Sequence, residues 1–187
     1  MCLSKVPGYE IYLLSDVKNN YMKFSMSCKK FYLTDEPGYT KKRLDNVLDI
    51  IDRHKIDIVL PTAAPGYQLV LNNLEILKNR CRQVLLSEKT NYNIALNKGA
   101  FAKFCEENHI NTPKTLSVKG LEAIKSLNEF QFPVLLKPTE GDGGIGILLF
   151  DNKDTCTQYL TENIQNLQDK FILQEYIEAE EIDVNVL

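Results

Sequence analysis

Phe132-Pro133-Val134-Leu135-Leu136-Lys137-Pro138-Thr139-Glu140-Gly141-Asp142-Gly143-Gly144-Ile145-Gly146-Ile147-Leu148-Leu149-Phe150 sets a glycine-rich loop between two apolar strands, with a lysine at its entrance. Four glycines within six positions let successive backbone N–H groups turn toward one point, the concave nest that holds a di- or triphosphate. Lys137 lies two residues past Leu135 on an alternating strand, which puts its ammonium on the face of that loop. A Walker A loop ends in Gly-Lys-Ser/Thr and runs into a helix, whereas Gly146 runs into the strand-like Ile147-Leu148-Leu149-Phe150. A dinucleotide fingerprint also needs a helix directly after its glycines, and the next helical pattern starts only near Asp154.

Working outward, the chain reads as two units. In the first, Ile11 to Ser15 and Lys30 to Leu33 are short strands, and a helix starts near Thr40 with Leu44, Val47, Leu48 and Ile51 on one face. Ile56 to Pro61 reads as a buried strand, a helix follows Pro65-Gly66 with Leu71, Leu74 and Leu77 along it, and Val84 to Leu86 closes the unit as a strand. Strands alternating with helices predict an α/β unit. After a break around Ser87 to Asn97, helices near 98–108 and 120–128 precede the strand–loop–strand hairpin. A helix from about Asp154 to Gln168 and strands at Phe171 to Ile177 and Glu181 to Leu187 complete an α+β second unit.

Of the 187 residues, 44% are apolar and 25% charged, ordinary globular usage for one core or two small ones. A net charge of −3, with no basic run longer than Lys41-Lys42-Arg43, argues against a nucleic-acid or anionic-membrane partner. Cys2, Cys28, Cys81, Cys105 and Cys156 are scattered and odd in number, which suits a reducing, cytoplasmic compartment better than a disulfide framework. With only His54 and His109 available, a zinc cluster is not expected, and no apolar run has the length of a membrane span.

Three stretches together resemble the ATP-grasp superfamily, particularly members similar to the carbamoyl phosphate synthetase large subunit and related carboxylate-amine ligases. They are Asn97 to Phe104 followed by Ile110 to Thr115, the Lys137 and glycine-loop segment, and Gln174 to Leu187, in that order and at that spacing. The resemblance implies a small Rossmann-like pre-ATP-grasp domain over residues 1–90 and an ATP-grasp domain with an antiparallel sheet over 91–187. It implies that Lys98, Lys137, Gly141, Gly143, Gly144 and Gly146 hold the phosphates of ATP. It places the adenine on the backbone of Glu175, Tyr176 and Ile177, with Gln174, pointing opposite to Glu175, as a sheet-face residue or a lining of the pocket, and the ribose hydroxyls on Glu181. Taken alone, Lys98 reads as an exposed lysine in a first helical turn and Glu181 as one more solvated carboxylate. Lys137, at the end of an apolar strand and before a glycine loop, is harder to explain structurally.

The implied reaction is activation of a small carboxylate or bicarbonate as an acyl phosphate, which an amine or other nucleophile attacks, in a C–N bond-forming ligase using ATP and Mg2+. Such chemistry is mostly positioning and charge stabilisation, so no nucleophilic triad is expected and no catalytic residue is assigned. The alternative is a catalytically silent ATP-binding module, or a fragment needing a partner chain. A dinucleotide-dependent oxidoreductase is a remoter reading. Ala179, Ile145 and Gly144 depart from the family pattern, in which glycine, a basic or aromatic residue and serine are common at the respective positions.

Met1 to Glu10 resembles the exit of a helix, so the first strand of the leading domain is expected to be missing, and the metal-binding second half of the ATP-grasp domain is expected to lie beyond Leu187. Such a chain would expose apolar surface and sheet edges. It is therefore expected to self-associate or to be marginally stable. A monodisperse monomer with a high melting temperature in light scattering and calorimetry would count against that expectation.

Overall fold

A computed structural model of the chain describes residues 7–36, 38–84, 86–141, 143–180 and 182. The chain divides into two units, Met1–Glu88 and Lys89–Leu187. In the first, β1 (Ile11–Ser15) pairs in parallel with β2 (Cys28–Leu33) across a 3-10 turn at Tyr21–Phe24. α1 (Lys41–His54) starts where the Thr40 side chain accepts from the Arg43 N–H at 3.2 Å, and it stops at Lys55, left-handed with φ 53°. β3 (Ile58–Val59) follows, then α2 (Ala64–Asn72), α3 (Leu74–Lys78) and β4 (Arg82–Gln83), which pairs in parallel with β3. Leu44, Ile51, Leu69, Val70, Leu77 and Cys81 form the core of this unit, with Val47, Leu48 and Val59 packed against it.

Several details of this unit differ from the sequence reading. The strand expected over Ile56 to Pro61 shortens to Ile58–Val59, and it is not buried: Ile58 is 47% and Leu60 50% exposed. Ile56 and Val59 pack against the core and Pro61 is buried, while Ile58 and Leu60 face away from it. The helix expected after Pro65-Gly66 already includes that pair, beginning at Ala64 with Pro65 in its first turn, where the missing N–H costs nothing. It breaks at Asn73, whose side-chain amide donates to the Leu69 carbonyl at 2.8 Å and so competes with the helical backbone. The closing strand falls at Arg82–Gln83 rather than Val84 to Leu86; Leu85 lies outside the described residues.

The second unit opens with α4 (Lys89–Leu96), where the sequence predicted a break; this helix fully buries none of its residues, so it carries no apolar stripe to read. α5 (Lys98–Glu107), β5 (Thr115–Ser117), α6 (Glu122–Lys125) with a 3-10 turn at Ser126–Glu129, β6 (Val134–Pro138), β7 (Leu148–Phe150), α7 (Lys153–Leu167) and β8 (Phe171–Glu175) follow. The four strands form one antiparallel sheet in the order β5-β8-β6-β7, as the α+β reading expected. The strand predicted over Phe171 to Ile177 ends two residues early, at Glu175, and that predicted over Glu181 to Leu187 lies almost wholly outside the described residues.

The period of two divides this sheet cleanly. Val134, Leu136 and Leu173, each fully buried, face a core built with Val118, Leu127, Cys156 and Leu160, so α6 and α7 cover that side. The register pairs Leu135 with both Leu149 and Gln174, Lys137 with Ile172, and Thr115 with Gln174, which places these side chains on the opposite side. Truncating Leu136 to Ala leaves a cavity under the centre of the sheet. The expected loss is about 2–5 kcal/mol of unfolding free energy, measured by urea denaturation.

Candidate functional site

All four loop glycines adopt left-handed backbone: φ is 104° at Gly141, 63° at Gly143, 73° at Gly144 and 77° at Gly146. A Cβ at Gly141, Gly143 or Gly144 would meet nothing within 4 Å, so backbone conformation rather than crowding selects glycine there. At Gly146 both act, since a Cβ would also approach Pro138 Cγ to 3.1 Å. The loop bridges β6 and β7 and its described residues are exposed from Glu140 onward, with Ile145 81% exposed at its tip.

Lys98 and Lys137, far apart in sequence, converge on the entrance to this loop. Lys98 is the first residue of α5, whose N-cap Asn97 accepts from the Ala100 N–H at 3.0 Å. Its backbone N–H donates to the Thr139 carbonyl at 2.8 Å and its Nζ to the Gly141 carbonyl at 2.7 Å, which ties the helix start to the loop on both sides. It is thus more than an exposed lysine of a first turn. Gly99 makes the approach possible: a Cβ there would stand 3.1 Å from Ser117 Oγ and 3.3 Å from Ile172 Cγ2. The helix rests its second residue directly on the sheet, a contact the sequence reading did not single out.

Lys137 projects from the open face of β6, and its Nζ donates to Gln174 Oε1 at 2.7 Å. Burial, and after it the Lys98 ammonium, lowers its pKa from the ordinary lysine value. Gln174 and Glu175 point to opposite sides: Gln174 shares the face of Lys137, while Glu175 Oε1 accepts from the Gln131 N–H at 3.4 Å. Gln174 is therefore engaged through its side chain as well as standing in a strand. Thr115, which accepts from Gln174 Nε2 at 2.8 Å, ends one of the stretches that carry the resemblance but was given no role, because its partner lies on a strand distant in sequence.

The segment expected to hold adenine narrows in the structure. The Glu175 N–H donates to the Lys114 carbonyl at 3.0 Å and the Tyr176 N–H to the Pro133 carbonyl at 3.1 Å, so both donors are committed. Ile177, 58% exposed just past the end of β8, is the one of the three whose N–H has no backbone partner among the described residues. Glu181 lies outside the described residues.

Two ammonium groups beside a positive-φ glycine loop match a polyphosphate in charge and in donor type. The donor set does not match a metal: among the described residues no three His, Cys, Asp or Glu side chains come together in a way that holds one. The described cysteines Cys28, Cys81, Cys105 and Cys156 are free thiols, and burial pushes Cys156 up to about 11, which makes it a packing residue rather than a nucleophile. No described helix is long and apolar enough to cross a membrane.

A family model, RimK-like ATP-grasp domain, matches residues 77–187. The carbamoyl phosphate synthase large chains of Clostridium acetobutylicum and Clostridium perfringens are 23% and 24% identical to the chain over 159 residues, which is 84% of it. The chain spans only 15% of the length of these relatives. In fold it is similar to N5-carboxyaminoimidazole synthetase from Staphylococcus aureus, solved with ADP, at a TM-score of 0.66 and 12% identity over 92% of this chain and 42% of that one. The biotin carboxylase domain of Hydrogenobacter thermophilus 2-oxoglutarate carboxylase, solved with MgADP, ADP and bicarbonate, gives a TM-score of 0.60 at 17% identity, over 81% of this chain and 35% of that one.

The lowered pKa of Lys137 has a consequence for stability. Between the folded and the ordinary lysine value the unfolded chain binds more protons, so unfolding free energy rises with pH across that window, and the burial penalty is fully present below it. Replacing Lys137 with Met removes this contribution. The wild-type minus Lys137→Met difference, followed by urea denaturation, is expected to shift in favour of the wild type as pH rises toward the ordinary lysine value.

Proposed function

The chain belongs to the family of RimK-like ATP-grasp domains, and we propose that it grips the phosphates of ATP between the glycine loop and the paired lysines Lys98 and Lys137. The observation that carries this reading is the convergence of Lys98, at the start of α5, and Lys137, at the end of β6, on one loop whose four glycines all hold positive φ. Like charges are brought together against their mutual repulsion where an anion is to be held. Leu135 and the half-exposed Leu149, side by side in register on the open sheet face, offer an apolar floor for the base. The Ile177 N–H is the donor for a ring nitrogen, and Glu181 the acceptor for the ribose hydroxyls.

ATP, when bound, supplies a terminal phosphoryl group that converts a carboxylate or bicarbonate into an acyl phosphate open to attack by an amine. On this reading the chain's own contribution is electrostatic. Lys98 and Lys137 neutralise phosphate charge, and the loop backbone follows the phosphates and excludes water as it closes. Metal ligands for the magnesium complex and the residues that choose the carboxylate are assigned outside the described residues, and the proposed compartment is the cytoplasm.

Calorimetric titration of the 187-residue chain with MgATP tests the phosphate grip. Lys137→Ala is expected to weaken binding by about tenfold or more, the scale of one charge-assisted hydrogen bond, with the unfolding transition retained. Unchanged affinity would overturn the role of Lys137. Release of ADP in the presence of carboxylates would count against the catalytically silent module.

A further inference from the structure

On the reading that Lys137 meets phosphate, we infer that Thr115 and Gln174 are positioning residues for it, forming a polar relay across three strands that fixes where its ammonium waits. Thr115 Oγ1 donates to the Pro113 carbonyl at 2.8 Å, Gln174 Nε2 donates to Thr115 Oγ1 at 2.8 Å, and Lys137 Nζ donates to Gln174 Oε1 at 2.7 Å. The relay has one direction only, because both its ends are fixed by chemistry. An ammonium can only donate and a proline carbonyl can only accept. With the Gln174 amide reversed, its NH2 would face the ammonium donor to donor, so the two ends together dictate the orientation of the amide between them.

Sheet order makes the relay possible. β8 lies between β5 and β6, so one side chain on it touches both neighbours: Gln174 is in register with Thr115 on one side and with Leu135 on the other, and Lys137 is the diagonal neighbour two residues along β6. All three residues are half-buried on the face opposite the apolar core, so none contributes to that core. The Lys98 ammonium, anchored on the Gly141 carbonyl, repels Lys137. Gln174 Oε1 is the acceptor that holds Lys137 near the loop against that repulsion.

The relay predicts behaviour that a sheet-face filler would not show. The Lys137 side-chain titration is followed by 13Cε NMR without nucleotide, its signal identified by its loss in Lys137→Ala. Thr115→Val and Gln174→Met are expected to lower the midpoint of that titration, because each loosens or removes the acceptor that favours the charged form. Thr115→Ser, which keeps the hydroxyl, restores it, and Gln174→Glu moves it upward. In parallel, Thr115→Val and Gln174→Met are expected to weaken MgATP binding by about threefold to tenfold, and Thr115→Ser to leave it unchanged.

Midpoints that stay at the parent value in Thr115→Val and Gln174→Met, with only the melting temperature falling, would overturn the relay and leave its members as structural residues. The two readings fail separately. If Lys137→Ala binds MgATP as well as the parent, the phosphate role fails while the midpoints still decide the relay. If Lys137→Ala weakens binding but the relay variants change neither midpoint nor affinity, only the relay fails.

Discussion

Placement of β8 between β5 and β6 is the constraint on which the second unit depends. A central strand satisfies its backbone groups on both edges and presents side chains to both faces. On one face Leu173 joins Val134 and Leu136 in a core closed by α6 and α7. On the other, Gln174 reaches Lys137, and Ile172 lies under Gly99. A slip of β8 by one residue would exchange its faces, burying the Gln174 amide and exposing Leu173, so burial of the core fixes the chemistry of the open side.

Among the described residues, that open side holds its charges by partial compensation rather than by ion pairs. Lys98 rests on a backbone carbonyl of the loop and Lys137 on a neutral amide, acceptors strong enough to place an ammonium and weaker than a phosphate oxygen. A carboxylate at position 174 would neutralise Lys137 and compete with an incoming anion; an amide leaves the charge available. The left-handed glycines set the loop beside both lysines in a conformation that other residues would adopt only with strain.

Legibility in the sequence followed the range of the forces involved. The glycine loop, the alternating strand before it and the amphipathic stripe of α1 are local patterns, and each lies where its residues say. α4 was invisible because it buries nothing fully, and the apolar run Ile56 to Pro61 misled because hydrophobicity alone does not tell one covered face from two. Asn73 breaks what reads as one helix because its amide finds a carbonyl one turn back. Thr115 and Gly99 lie in stretches that carry the resemblance but were assigned no role, since their significance comes from a partner 59 residues away in sequence in one case and from a close approach of helix to sheet in the other.

The sequence by itself determined the loop, its entrance lysine and the resemblance to the ATP-grasp superfamily, because these rest on backbone freedom and on the period of a strand, which neighbouring residues settle among themselves. Tertiary structure alone decided that Lys98 meets the same loop as Lys137, that Ile177 rather than Glu175 or Tyr176 keeps its N–H uncommitted among the described residues, and that Gln174 and Thr115 stand behind the lysine. Those outcomes depend on strand order and on how closely a helix approaches a sheet, and both are fixed only when distant segments bury their apolar faces against one another.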